Sequence, residues 1–174
     1  MNHPASELVI DAALIRKYDV SGPRYTSYPT ADRFVPAFGA GTYAHWLGRS
    51  SVDGIGHPLS LYVHLPFCNT VCFYCGCNKI VTRDHTRSAR YVRYLEKEIG
   101  LVGSLVGSGR SVSQMHWGGG TPTFLSRDEM LALSNAIDAQ FERSDDCENS
   151  IEVDPRSVES GMMAFLADLG FNRV

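Results

Sequence analysis

From Leu59 onward the chain repeats one pattern: a short apolar run, a glycine- or proline-rich break, then a longer segment with helical spacing. Leu59-Ser-Leu-Tyr-Val-His-Leu65 is largely apolar and is stopped by Pro66, which predicts a strand. Asp84 to about Val106 predicts a helix, with Tyr91, Leu95, Ile99 and Val102 recurring on one face. Ser113 to Trp117 predicts a second short strand, ended by Gly118, Gly119 and Gly120. Ser126 followed three residues later by Glu129 is a capping box, and Met130, Leu133, Ile137 and Phe141 form the buried stripe of the helix it opens. Ser150 to Val153 predicts a third strand, ended by Asp154 and Pro155. Ser157 to Leu169 predicts a third helix, with Gly170 as its stop, and Phe171 to Val174 starts a fourth strand.

Three strand–helix units in series favour a parallel sheet with right-handed crossovers. A closed eight-stranded barrel needs about 250 residues. The expectation is therefore an α/β fold, a partial (β/α) barrel over residues 58–174 that is cut after the start of its fourth strand. Residues 1–57 read as an N-terminal arm. Ser6 to Tyr18 suits a short helix, Thr42 to Leu47 another, and the prolines and glycine of Ser21 to Thr30 preclude a regular helix between them.

Composition narrows the function classes. The chain has 174 residues, 44% hydrophobic and 20% charged, with a net charge of −3, which is ordinary for a globular protein. Slight acidity gives no field for nucleic acid, so no such partner is expected. No apolar run approaches the ~18 residues of a membrane span, and the early acids Glu7 and Asp11 argue against a secretory signal. Five cysteines, four of them clustered, do not make a disulfide framework, so the reducing cytoplasm is expected.

The cluster is Cys68, Cys72, Cys75 and Cys77, whose first three members form a C-x3-C-x2-C array. Three thiolates on one loop suit a cubane iron–sulfur centre, with one iron left open for a ligand. The alternative is a four-cysteine zinc site using Cys77, although such sites usually pair two separated knuckles. The unusual features all fall where a parallel sheet binds ligands, beyond the C-terminal ends of its strands. The cysteine loop follows strand one, the glycine triplet with Thr121 follows strand two, and Glu152 and Asp154 end strand three. Tyr62 and His64 share one face of strand one. The triplet is either a tight turn or a place where backbone approaches a ligand. Glu152, on a strand flanked by Ile151 and Val153, needs a partner, and a ligand ammonium or ribose hydroxyl suits it. Lys79, Arg83, Arg87, Arg90 and Arg93 are either a solvated helix face or a receiver of substrate carboxylates. Cys147 reads as structural, and the histidines show no metal-ligand spacing.

The cysteine array resembles the signature of the radical S-adenosylmethionine superfamily. Five longer strings narrow this further: Gly22-Pro-Arg-Tyr-Thr-Ser-Tyr-Pro-Thr30, Tyr62-Val-His-Leu-Pro-Phe-Cys68, Cys75-Gly-Cys-Asn-Lys79, His116-Trp-Gly-Gly-Gly-Thr-Pro122 and Glu152-Val-Asp-Pro-Arg156. Together they resemble the oxygen-independent coproporphyrinogen III oxidase family of heme biosynthesis. The resemblance implies a [4Fe–4S] cluster on Cys68, Cys72 and Cys75. It also implies two S-adenosylmethionine molecules, contacted from Tyr62, Tyr74, Gly119, Gly120, Thr121 and Glu152. The family often has phenylalanine at the position of Tyr74, and Cys77 separates its oxidases from related heme chaperones, the rival reading. In the superfamily's Gly-Gly-Glu motif the third position is Gly120 here, so backbone carbonyls or Glu152 must hold the methionine ammonium. Coproporphyrinogen III as substrate, a flavodoxin or ferredoxin-type electron donor and a monomeric full-length protein complete what the resemblance implies.

Overall fold

A computed structural model describes residues 11–19, 30, 33–52, 57–107 and 110–174. The chain divides between Gly39 and Ala40 into two compact units. In the first, Asp11 caps helix α1 (Ala12–Tyr18), its carboxylate accepting from the N–H groups of Ala13 and Leu14. The first part of the expected Ser6–Tyr18 helix and the Gly22–Thr30 string, Thr30 apart, lie outside the described residues. The second unit opens with α2 (Ala40–Val52), longer at both ends than the expected Thr42–Leu47 segment. Leu47 of α2 packs against the core, so residues 40–52 belong with the sheet rather than with an arm ending at 57.

The remaining elements follow in order. They are β1 (Leu59–Leu65), β2 (Phe67–Cys68), β3 (Ile80–Val81), α3 (Thr86–Val106), β4 (Ser111–Gly119), α4 (Arg127–Asp138), β5 (Glu142–Ile151) and α5 (Met162–Asp168). β1, β4 and β5 form a parallel sheet in that order, as the strand–helix alternation requires. Successive strand side chains point to opposite faces. Val63, Leu65, Met115, Trp117 and Ile151 are therefore buried against Val92, Met130, Leu133, Ile137 and Leu166 of the helices. Phe171 adds an edge-on contact to Trp117, ring centroids 5.1 Å apart.

The capping box of α4 forms as expected: Ser126 Oγ accepts from Glu129 N, and Glu129 Oε2 accepts from Ser126 N. Glu129 Oε1 also accepts from the buried Ser88 hydroxyl at 2.9 Å, so one carboxylate caps α4 and ties it to α3. Met130, Leu133, Ile137 and Phe141 are all buried.

Three expectations are corrected. The third strand starts at Glu142 rather than Ser150 and ends at Ile151 rather than Val153. Residues 142–149 are mostly polar and carry no apolar alternation, and backbone pairing to β4 makes them a strand. Helix α5 starts at Met162, not Ser157, because Asp154 accepts from the backbone N–H of Arg156 and Gly161 is left-handed, with φ of 77°. β2 and β3, a parallel pair of two residues each, went unforeseen. Of the fourth strand, a single bridge from Ser150 to Arg173 is formed. No helix among the described residues is long and apolar enough to cross a membrane.

Candidate active site at the strand ends

The sheet face turned away from the helices is polar. Tyr62 and His64 on β1, Gln114 and His116 on β4, and Glu148 and Ser150 on β5 project from it. The parallel register sets Tyr62 beside His116 and His116 beside Ser150. The rings of Tyr62 and His116 stack at 5.8 Å. A concavity of about 520 Å³ opens over this face, lined by Gln114, His116, Glu148, Ser150, Glu152 and Arg173 among others.

Hydrogen-bond logic assigns the protons. Asn78 O can only accept, so His64 Nε2, 3.0 Å away, carries the hydrogen. In the neutral ring Nδ1 then accepts from the Tyr62 hydroxyl at 3.2 Å. Burial, Glu152 and Cys77 together push the Tyr62 phenol above its ordinary pKa. On the neighbouring strand Ser150 Oγ lies 2.7 Å from His116 Nδ1 and 3.3 Å from Met115 O. His116 Nε2 stands 3.5 Å from Glu152 Oε1.

The glycine triplet serves close packing. Gly120 N donates to Leu65 O, and Thr121 N donates to Phe67 O, both at 2.8 Å. These bonds pull the end of β4 across the segment that leads from β1 into the cysteine loop. A Cβ on Gly120 would lie 2.6 Å from Phe67 O and 2.8 Å from Pro66 O. Gly119, at φ of 114°, has no room beside the His64 ring, and its N–H donates to Glu152 Oε2 at 3.1 Å. Turn and site are thus one structure: the glycines that let the chain cross also place Glu152.

The cysteine loop runs between β2 and β3, which close its base through Ile80 N to Pro66 O and Thr82 N to Cys68 O. Cys68 is buried, Cys72 and Cys75 are half-buried, and Cys77 is exposed; all are free thiols. The hydroxyl of Thr121 donates to Cys68 Sγ at 3.7 Å, and Arg156 Nη2 donates to Cys72 Sγ at 3.6 Å. The backbone N–H of Cys77, then the Lys79 side chain, hold the Cys75 thiol below its usual pKa, whereas local desolvation, Cys75 and Glu152 push Cys77 up. Among the described residues no three His, Cys, Asp or Glu side chains converge on a single metal ion. A cubane takes one thiolate per iron and keeps its ligands apart. Donors aimed at two of the three sulfurs, and a lowered third thiol, fit that role for Cys68, Cys72 and Cys75.

Of the expected residues, the structure joins Gly119 to Glu152, Thr121 to Cys68, and Tyr62 to the same rim. Tyr74 is not joined to them; it stands on the cysteine loop with 92% of its surface exposed. His64, His116, Ser150 and Arg156 belong to this site but were not foreseen as its members. For His116 and Ser150 no local signal was available, because the face they share with Tyr62 is set by the register between strands.

The Radical SAM superfamily model matches residues 62–174. The chain is 48% identical over 166 residues to the oxygen-independent coproporphyrinogen III oxidase of Pseudomonas aeruginosa, covering 94% of this chain and 36% of that one. It is 47% identical over 150 residues to the protein of the same name from Mannheimia haemolytica, covering 86% of this chain and 99% of that sequence. A solved structure of coproporphyrinogen III oxidase from Escherichia coli, described as a radical SAM enzyme, superposes with a TM-score of 0.80 at 44% identity, over 97% of this chain and 36% of that one. The chain thus spans about a third of the length of the Pseudomonas aeruginosa and Escherichia coli proteins. The chain belongs to the radical SAM superfamily and, within it, to the oxygen-independent coproporphyrinogen III oxidase family.

Proposed function

We propose that this chain is the cofactor-binding part of an enzyme that oxidatively decarboxylates two propionates of coproporphyrinogen III to vinyl groups, giving protoporphyrinogen IX. The observation that carries the reading is one loop of three free thiols at the strand ends, with Thr121 of the glycine crossing against Cys68 and Glu152 held on Gly119, in a chain of this family. Cys68, Cys72 and Cys75 hold a [4Fe–4S] cluster, and S-adenosylmethionine binds beside it, two molecules per active site. When bound, these cofactors would supply one-electron chemistry for taking hydrogen from a propionate β-carbon.

The protein's own residues orient and enclose. Glu152 commits Oε2 to Gly119 N, which leaves Oε1 turned toward His116 and open to a ligand ammonium or ribose hydroxyl. That supplies, from just beyond β5, the carboxylate that Gly120 does not. Tyr62, stacked on His116 and tied to His64, forms a wall whose phenol keeps its proton at neutral pH. Gly120 and Thr121 present backbone next to the cysteine loop, and Tyr74 offers an exposed aromatic face on that loop. Such positioning lowers a barrier by holding reacting groups in place. A flavodoxin or ferredoxin-type protein supplies electrons, and the full-length protein works as a monomer in the cytoplasm.

The test is alanine at Cys68, Cys72 or Cys75 in a polypeptide of the relatives' full length, assayed anaerobically. Acid-labile sulfide, 5′-deoxyadenosine and protoporphyrinogen should all be lost. Turnover surviving any of these replacements refutes the reading. Stable heme binding by the unmutated protein, with no cleavage of S-adenosylmethionine, would assign it instead as a heme carrier.

A further inference from the structure

Arg156 lies 84 residues beyond Cys72 in sequence, yet its guanidinium reaches that sulfur. It does not arrive as a loose side chain. Asp154 accepts from the Arg156 backbone N–H at 3.0 Å, from Nε at 2.9 Å and from Nη2 at 2.7 Å. Asp154 is itself anchored in a turn, its carbonyl accepting from both the N–H and the hydroxyl of Ser157. A two-pronged carboxylate grip fixes the plane of the guanidinium, and the same Nη2 points onward at Cys72 Sγ, 3.6 Å away. With Pro155 between them, Asp154 and Arg156 form a rigid hook at the end of β5, directed at the cysteine loop.

We propose that Arg156, positioned by Asp154, is a hydrogen-bond donor to the cluster ligand Cys72 and raises the reduction potential of the cluster. The inference rests on the cluster assignment above. Reduction makes the cluster sulfurs more electron-rich, so an N–H donor to one of them binds the reduced form more strongly than the oxidised form. Hydrogen bonds to the sulfurs are among the factors that set such potentials. The effect is short-ranged, because the carboxylate of Asp154 cancels the guanidinium charge at a distance. It therefore depends little on salt, unlike an exposed charge acting alone. Arg156 is a positioning residue in this scheme: it touches a ligand of the cluster and no reacting atom.

Redox titration followed by electron paramagnetic resonance, on anaerobically reconstituted protein, tests this. In Arg156→Gln the ratio of reduced to oxidised cluster at a fixed ambient potential should fall about tenfold, equivalent to roughly 59 mV for a one-electron couple. Iron and sulfide content should be unchanged. Arg156→Lys keeps one donor without the fork and should fall between; Asp154→Asn, which loosens the grip, should shift the same way by less. Resonance Raman should show the iron–thiolate stretch moving to higher frequency as the hydrogen bond is lost. An unchanged potential in a fully loaded Arg156→Gln protein overturns the proposal and leaves the cluster assignment standing. Loss of the cluster from all three variants would make Arg156 a holder of the loop, which also overturns it. An unmutated protein that takes up no acid-labile sulfide overturns both.

Discussion

The two faces of the β1-β4-β5 sheet carry different chemistry on the same strands. Toward the helices stand Val63, Leu65, Met115, Trp117 and Ile151, each less than a tenth exposed and packed among Met130, Leu133, Ile137 and Leu166. Toward solvent stand Tyr62, His64, His116 and Ser150, joined to one another and to Glu152 by rings and hydrogen bonds. The packed face stabilises the fold through burial, which is indifferent to direction. The open face is a set of directed donors and acceptors that burial does not fix. It depends instead on register, because parallel pairing alone puts Tyr62, His116 and Ser150 in one row. A protein built this way can lose function from one face without losing the fold from the other.

The comparison breaks most visibly at Trp117. Trp117→Ala removes a fully buried side chain and its contact with Phe171, and should destabilise the protein by about 3–5 kcal/mol, read as a lower denaturant midpoint. On the opposite face Glu152→Gln should leave that midpoint unchanged. Its cost falls on binding: a charged hydrogen bond is worth about 1.5–3 kcal/mol. S-adenosylmethionine affinity in equilibrium dialysis should therefore drop by tenfold or more, and an unmoved affinity would remove Glu152 from the site. Gly120→Ala should affect both properties. Its new methyl group meets the backbone carbonyls of Pro66 and Phe67, and such overpacking costs about 1–3 kcal/mol. It also displaces the start of the cysteine loop, so cluster loading should fall along with thermal stability.

The smallest effect is a pH dependence. Arg156 holds the Asp154 carboxyl below the usual carboxylate range. A depressed folded-state pKa contributes stability that is complete above the unfolded value, about 3.9, and is lost as pH falls through the depressed value. Replacing Arg156 should flatten that acid limb in urea denaturation followed by pH, with no change near neutrality.

Much of the fold was legible because each signal was local. A largely apolar run stopped by Pro66 marked β1, a serine with a glutamate three residues on marked α4, and the stripe Met130, Leu133, Ile137 and Phe141 named its buried face. The start of β5 was hidden, since Glu142 to Asn149 is polar and becomes a strand only by pairing with β4. The late start of α5 depends on the Asp154 turn and the left-handed Gly161, whose geometry a periodicity cannot report.

Spacing along the chain is what made the cysteines readable as one set, because Cys68, Cys72 and Cys75 lie within a single loop whatever surrounds them. Thr121 against Cys68, Glu152 against Gly119, and Arg156 against Cys72 join residues 33 to 84 positions apart. Contacts at that separation are decided by strand order and register, which the sheet establishes only when its strands assemble.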